Sequence, residues 1–146
     1  MNRTLAFDIG EKRTGAAISD GLGITAQPVG VRERTGYKSE LRWVRELMDE
    51  YEIERIIIGH PVNMNGTSGK MAQMCEKIAE KLKKDLTGIE VALWDERLTT
   101  AGAERTLIMA NVSRKKRKKV VDQLAAQLIL SSWLDANPGQ RHRGEK

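Results

Sequence analysis

Leu5-Ala6-Phe7-Asp8-Ile9-Gly10-Glu11-Lys12-Arg13-Thr14-Gly15-Ala16-Ala17-Ile18-Ser19 decides the fold. Its first five residues are an apolar run broken by one carboxylate, the pattern of a buried strand that ends in an acid. Gly10 to Thr14 predicts a turn, and Gly15 to Ser19 a second strand returning beside the first. Ile24 to Arg32 predicts a third strand, with Pro28 pointing to an edge or an irregular position because it has no N–H to give a ladder. These three form an antiparallel meander.

Downstream the periodicity changes. Leu41, Val44, Leu47, Met48 and Tyr51 recur at helical spacing between Ser39 and Tyr51. Ile56-Ile57-Ile58-Gly59 is the continuous apolar run of a central strand covered on both faces. A polar loop from His60 to Gly69 leads into a helix with Ala72, Cys75, Ile78, Ala79 and Leu82 on one side. Ile89 to Trp94 is another strand, running into Asp95-Glu96. Thr99 or Thr100 caps a predicted helix to about Met109. Ala110 to Lys116 reads as a mobile segment, and the last helix runs from the basic stretch to about Asp135, ended by Asn137-Pro138-Gly139. Strand–helix alternation in the second half implies crossovers and parallel pairing. The expectation is one α/β domain over residues 1–138, a mixed sheet with antiparallel β1-β2-β3, then parallel β4 and β5, and helices on both faces. Residues 139–146 form a polar, basic tail.

Of the 146 residues, 40% are apolar and 31% charged, as in ordinary globular domains. The single cysteine, Cys75, excludes an internal disulfide and suits a reduced, buried thiol. No stretch is apolar enough to span a bilayer, and the chain opens on a strand pattern rather than a signal sequence, so a cytoplasmic protein is expected. The net charge of +5 is concentrated: Arg114 to Lys119 holds six cations in six residues, and the other 19 basic side chains face 20 acidic ones. Such a run fits a polyanion, whose counterions it releases, and equally fits a solvated surface segment.

Asp8, Glu96 and Asp122 stand at three element ends that a mixed sheet can bring together. Phosphodiester hydrolysis uses such an arrangement, because carboxylates can hold two hard cations that activate water and stabilise the leaving oxygen. Oxygen ligands select Mg²⁺ or Mn²⁺, and two histidines with one cysteine give little support for zinc. Each acid also has an ordinary reading. Asp8 before Gly10 can start a turn, and Glu96 can be a solvated strand end paired with Arg97. Asp122 interrupts an apolar helix whose face reads Val121, Leu124, Ala125, Leu128 and Ser132, and it falls at the edge of that face beside Ile129. Lys118 and Lys115 lie behind it, although a Lys-then-Asp pair gives only tenths of a kcal/mol. Two glycine-containing loops, Asp8 to Gly15 and Asn63 to Gly69, can turn N–H groups toward phosphate, with Lys12 and Arg13 on the rim of the first. Trp43 and Trp94 read as core residues, and His60 as a loop residue rather than a general base.

Taken in order, the motifs Asp8-Ile9-Gly10 with Lys12-Arg13-Thr14-Gly15, Ser19-Asp20, Thr25-Ala26-Gln27-Pro28, Gly59-His60-Pro61 with Asn63-Met64-Asn65-Gly66-Thr67, Trp94 to Thr100, and Ser113 to Lys119 running into Val121 to Ala126 resemble the YqgF (RuvX) family of bacterial proteins. That family is described both as Holliday junction resolvases and as pre-16S ribosomal RNA nucleases. The resemblance spans Leu5 to about Asp135. It implies a ribonuclease-H-like fold, with Asp8, Glu96 and Asp122 as catalytic, metal-binding carboxylates for Mg²⁺ or Mn²⁺. Asp95 and Glu96 alternate along the strand, so only one of them easily faces the site, and the resemblance implies that it is Glu96. It further implies a hydrolase that matures the 5′ end of precursor 16S ribosomal RNA, on a ribosomal particle, or that resolves branched DNA. Lys12, Arg13, Asn65, Arg97, Arg114, Lys115, Lys116, Arg117 and Lys118 are the candidate nucleic-acid contacts, reading structure and backbone rather than base sequence. The protein is expected to be a monomer or homodimer. Two other classes remain open: a non-catalytic nucleic-acid-binding or transcription-associated module, and an actin-like ATPase, which needs a cleft between two such domains.

Overall fold

Five segments of six to eight residues, most of them with a short apolar centre, pair into a single five-stranded sheet. The computed structural model describes residues 2–98 and 114–138, with side chains for 2–97 and 124–138. The elements are β1 (Arg3–Ile9), β2 (Arg13–Ser19), β3 (Ala26–Glu33), α1 (Tyr37–Glu50), β4 (Ile53–His60), α2 (Lys70–Asp85), β5 (Glu90–Asp95), a 3-10 turn (Glu96–Leu98) and α3 (Arg114–Ala136). The strand order is β3-β2-β1-β4-β5. β1 pairs antiparallel with β2 and parallel with β4, β2 is antiparallel to β3, and β4 is parallel to β5. The mixed sheet expected from the sequence is therefore the observed one, and β1 is its central strand.

Alternation along the strands separates two cores. Leu5, Phe7, Ile9, Ile56 and Ile58 meet Trp43, Val44 and Leu47 of α1 and Cys75, Ile78 and Leu82 of α2. Ala6, Ala17 and Ile57 meet Ala126, Ile129, Leu130 and Trp133 of α3. The α3 side of the sheet is built largely of small residues, which lets the helix lie close. Each fully buried Leu or Ile contributes about 1.5–3 kcal/mol. No helix among the described residues is long and apolar enough to cross a membrane.

Several details depart from the sequence reading. β3 begins at Ala26 rather than Ile24, because the Asp20 carboxylate accepts the Ile24 N–H (2.8 Å) and holds the preceding residues as a loop. Pro28 does lie on an edge strand, beside a register shift between Ala16 and Ala17. In α1 the buried face is Glu40, Trp43, Val44 and Leu47, and Met48 is exposed. Residues 114–116, expected to be mobile, are the first residues of α3. The buried face of α3 overlaps the expected one at Ala125 but is shifted from it: Ala126, Ile129, Leu130 and Trp133 are also buried, whereas Leu124, Leu128 and Ser132 are only half-buried. The helix expected from Thr99 or Thr100 to Met109 lies outside the described residues.

Candidate active site

The three parallel strands β1, β4 and β5 end at one side of the sheet, the position where open α/β sheets receive their ligands. Phe7 stands beside Ile58, and Ile58 beside Leu93. One residue on, Asp8, Gly59 and Trp94 stand abreast on the face covered by α3. Asp8 is half-buried there, and Glu96, also half-buried, opens the turn that ends β5.

Gly59 makes this meeting possible. A Cβ on it would lie 2.6 Å from Ile129 Cδ1 and 3.1 Å from Glu96 Oε1, so a side chain there would collide with α3 and crowd the carboxylate. The strand thus carries a gap into which Glu96 and Ile129 both fit. The two acids act on a common neighbour. Burial pushes the Cys75 thiol up to about 12, and the negative charges of Glu96 and then Asp8 add to the rise. Cys75 is fully buried and neutral, as expected of a core thiol.

Asp122 lies on α3, and its side chain is outside the described residues. The helix phase is informative: position 122 precedes Ala126 by four residues, Ile129 by seven and Trp133 by eleven, all on one stripe. Trp133 stacks on Arg55 near the start of β4 (4.7 Å), and Ile129 abuts Gly59 near its end. Going back along α3 from Trp133 therefore leads toward the carboxylate end of the sheet.

Two supporting networks surround the pair of acids. Below the β1–β2 turn, the Gly10 N–H donates to the Arg13 carbonyl (2.8 Å), leaving Glu11 and Lys12 at the tip. Arg34 holds this turn: its N–H donates to the Lys12 carbonyl (2.8 Å), and its Nη1 to the Gly10 carbonyl (3.2 Å). Arg34 is itself paired with Glu40, which is buried in α1. Lys12 is exposed on this turn and Arg13 half-buried. The second network is the loop after β4. Asp95 takes the Arg97 guanidinium in a fork, with Nε donating to Oδ1 at 3.1 Å and Nη2 to Oδ2 at 2.6 Å. Arg97 Nη1 also donates to the Met64 carbonyl (3.3 Å). The Arg97 bond is the first cause holding the Asp95 carboxyl below its ordinary value. Across the same loop Glu76 accepts from Ser68 (2.7 Å) and meets His60 Nε2 (2.7 Å), and these two contacts hold its carboxyl low. Asn65 Oδ1 accepts the Thr67 N–H (3.1 Å) and hydroxyl (2.7 Å).

The predicted residues thus fall into three groups. Asp8 and Glu96 come together. Lys12, Arg13, Asn65 and Arg97 ring the same end of the sheet, with Arg97 engaged by Asp95 and the loop carbonyls. Arg114, Lys115, Lys116, Arg117 and Lys118 begin α3, and their side chains are outside the described residues. Sequence reasoning missed Gly59, the Arg34–Glu40 pair and the His60–Glu76 contact. His60, read as a loop residue, is the last residue of β4 and stands beside Asp95. Glu40 had a visible signal, since it precedes Val44 by four residues and Leu47 by seven on an apolar helix face, where a carboxylate needs a partner.

A mixed sheet of this order, with acids at the ends of its central strand and of β5, defines a ribonuclease-H-like α/β domain. Thermus thermophilus RuvC in complex with a Holliday junction has the same fold, with a TM-score of 0.53 at 12% identity over 95% of this chain and 97% of that one. Residues 2–136 match the RuvX family model, described as "Holliday junction resolvase", and the chain belongs to that family. Relatives named "Putative pre-16S rRNA nuclease" include one from Myxococcus xanthus, 46% identical over 92% of this chain and 89% of its own length. Others come from Geobacillus kaustophilus (49%, covering 92% and 98%) and Listeria monocytogenes (50%, covering 91% and 97%).

Proposed function

We propose that this chain is a divalent-metal-dependent nuclease that hydrolyses the phosphodiester backbone of precursor 16S ribosomal RNA at its 5′ end, using Asp8, Glu96 and Asp122. The observation that carries the reading is the gap at Gly59, which admits the Glu96 carboxylate beside Asp8 at the end of the central strand. Among the described residues no three His, Cys, Asp or Glu side chains gather; Asp122 of α3, whose position lies on the stripe of Ile129, would supply the third acid. The donors are hard oxygens without sulfur or imidazole, which suits Mg²⁺ or Mn²⁺ rather than zinc. Asp8 and Asp122 would hold the metal and Glu96 would complete its shell. When bound, such ions supply an activated water and charge stabilisation at the leaving oxygen.

The chain's own residues would do the rest. Asp8 and Glu96 are half-buried, and in such a partly desolvated setting a carboxylate attracts a cation more strongly than on an open surface. Lys12 and Arg13 on the β1–β2 turn would meet backbone phosphates, and Arg114 to Lys118 at the start of α3 would carry the strand toward the acids. Asp95 is directed to Arg97 and would serve the loop rather than the metal. We read residues 1–138 as the nuclease domain and 139–146 as a basic tail, acting in the cytoplasm on a ribosomal particle, as a monomer or homodimer.

The description of the family model favours a second substrate, a four-way DNA junction. Cleavage of a labelled precursor ribosomal RNA fragment and of a four-way DNA junction, each with Mg²⁺, Mn²⁺ or chelator, separates the two. Asp8→Asn should abolish metal-dependent cutting while binding and folding persist. Cutting by that variant at the parent rate would remove Asp8 from the mechanism. Binding of both substrates without cutting, even by the parent, would favour a non-catalytic module.

A further inference from the structure

Met64 is 89% exposed, whereas the other exposed large apolar residues, Leu22, Ile24 and Met48, lie between 40% and 49%. Its loop is not loose. The Asn63 N–H donates to the Thr67 carbonyl (2.9 Å), and the Gly66 N–H to the Asn63 carbonyl (2.8 Å). Asn63 Nδ2 donates to the Thr67 hydroxyl (3.0 Å), and Gly66 takes a positive φ of 84° that closes the turn without strain. Arg97, the residue after Glu96, fastens the Met64 carbonyl from below while forked on to Asp95. A flexible thioether is thus held out into solvent on a hydrogen-bonded loop, whose backbone is tied to Arg97, the neighbour in sequence of the candidate active-site Glu96. Such a side chain gains nothing for the fold where it stands, yet its polarizable sulfur suits the face or edge of an aromatic ring. The aromatic rings offered by a nucleic acid are its bases, and apolar wedges that part stacked bases are a known way of engaging deformed or branched substrates.

We propose that Met64 is a positioning residue that wedges against a nucleobase next to the scissile phosphate, so that the enzyme prefers sites where the stack is already broken. This rests on the nuclease reading above. The Asp95–Arg97 fork sets the height of the wedge relative to Glu96, and the loop thereby couples base opening to placement of the phosphate.

The test uses the full chain with two probes, a precursor ribosomal RNA fragment and a four-way DNA junction, each carrying 2-aminopurine at the branch and held in chelator so that nothing is cut. Parent protein should raise 2-aminopurine fluorescence on binding at least one probe, as the base leaves its stack. Met64→Ala and Met64→Gln should lose that rise and bind the same probe about 2- to 12-fold more weakly, the range of a sulfur–aromatic contact. Met64→Leu, an apolar wedge of similar size without the sulfur, should restore most of the fluorescence rise but only part of the affinity, and a fully paired duplex should show no difference among the variants. If Met64→Ala matches the parent in fluorescence and affinity while Asp8→Asn still abolishes cutting, the wedge is wrong and the nuclease reading stands. If the parent neither binds nor cuts either probe, both fall together. The probe that responds identifies whether the base belongs to RNA or to branched DNA.

Discussion

Replacing Gly59 by alanine adds one methyl at the most confined point of the α3 interface. The new Cβ would stand 2.6 Å from Ile129 Cδ1, closer than carbon atoms approach, and 3.1 Å from Glu96 Oε1. Ile129 is fully buried among Ala6, Ile57, Ala126 and Leu130, so its end methyl has no free space to enter. Overpacking of this kind costs about 1–3 kcal/mol. Exchanging glycine for alanine within a strand returns about 0.5–1 kcal/mol of backbone entropy. A net loss of up to about 2.5 kcal/mol remains, which for a chain of this size lowers Tm by up to about 10 °C. Glu96 must also retreat, and a misplacement of about 1 Å at a reacting centre can cost about 100-fold in rate. Gly59→Ala should therefore fold, melt slightly early and cut poorly. Ile129→Val removes the colliding methyl and by itself costs about 0.5–1.5 kcal/mol. In the double variant the two losses should fall short of their sum by at least about 0.5 kcal/mol, the signature of a shared contact. Thermal denaturation and single-turnover cleavage of all four proteins close the cycle. Strict additivity, or a Gly59→Ala protein with parental rate, would refute the account of the gap.

Glu40→Gln should be the more damaging change to stability, since it leaves Arg34 buried and unpaired beneath the β1–β2 turn. Breaking such a pair costs about 3–5 kcal/mol, a fall in Tm of about 6–20 °C by calorimetry at this chain length; an unchanged Tm would show that the pair does not hold the turn. The Asp95–Arg97 fork carries a pH signature. The folded carboxyl is lowered from 3.8, so the bond's contribution is complete above that value and is lost only as pH falls through the lower folded one. The Arg97 Nε–H resonance should hold its shift from neutral pH past 3.8 and move only in stronger acid. A midpoint at or above 3.8 would argue against the fork.

The sheet was largely legible from chain-local patterns, because the centres of β1 and β4 are written as short apolar runs and the buried face of α2 as clean helical spacing. Where reading and structure part, a side chain from elsewhere in the fold intervenes. Asp20 shortens β3 by capping the loop before it. α3 is turned relative to its sequence pattern because the sheet offers small residues, Ala6 and Ala17, on which Ile129 and Trp133 settle. The candidate acids were visible as carboxylates at element ends, but the space that admits Glu96 was not. Gly59 closes an apolar run like many strand glycines, and only the approach of α3 gives it meaning. Arg97 was read as a nucleic-acid contact, and its pairing with Asp95, two residues away, was not legible because strand alternation does not predict it.

The 23 residues of α3 run without a break from the basic stretch into the core. Because a helix turns about 100° and rises about 1.5 Å per residue, the count of residues between 122 and Ile129 works as an angular code. A single residue inserted there would swing position 122 a quarter-turn off the stripe of Ile129 and Trp133, and would swing every cation before it by the same angle. Insertions elsewhere leave this phase untouched. Length variation in this protein can therefore be accommodated before residue 114 or after Ala136, but the seven-residue interval behaves as a fixed gear between the part of the helix that packs and the part that carries charge.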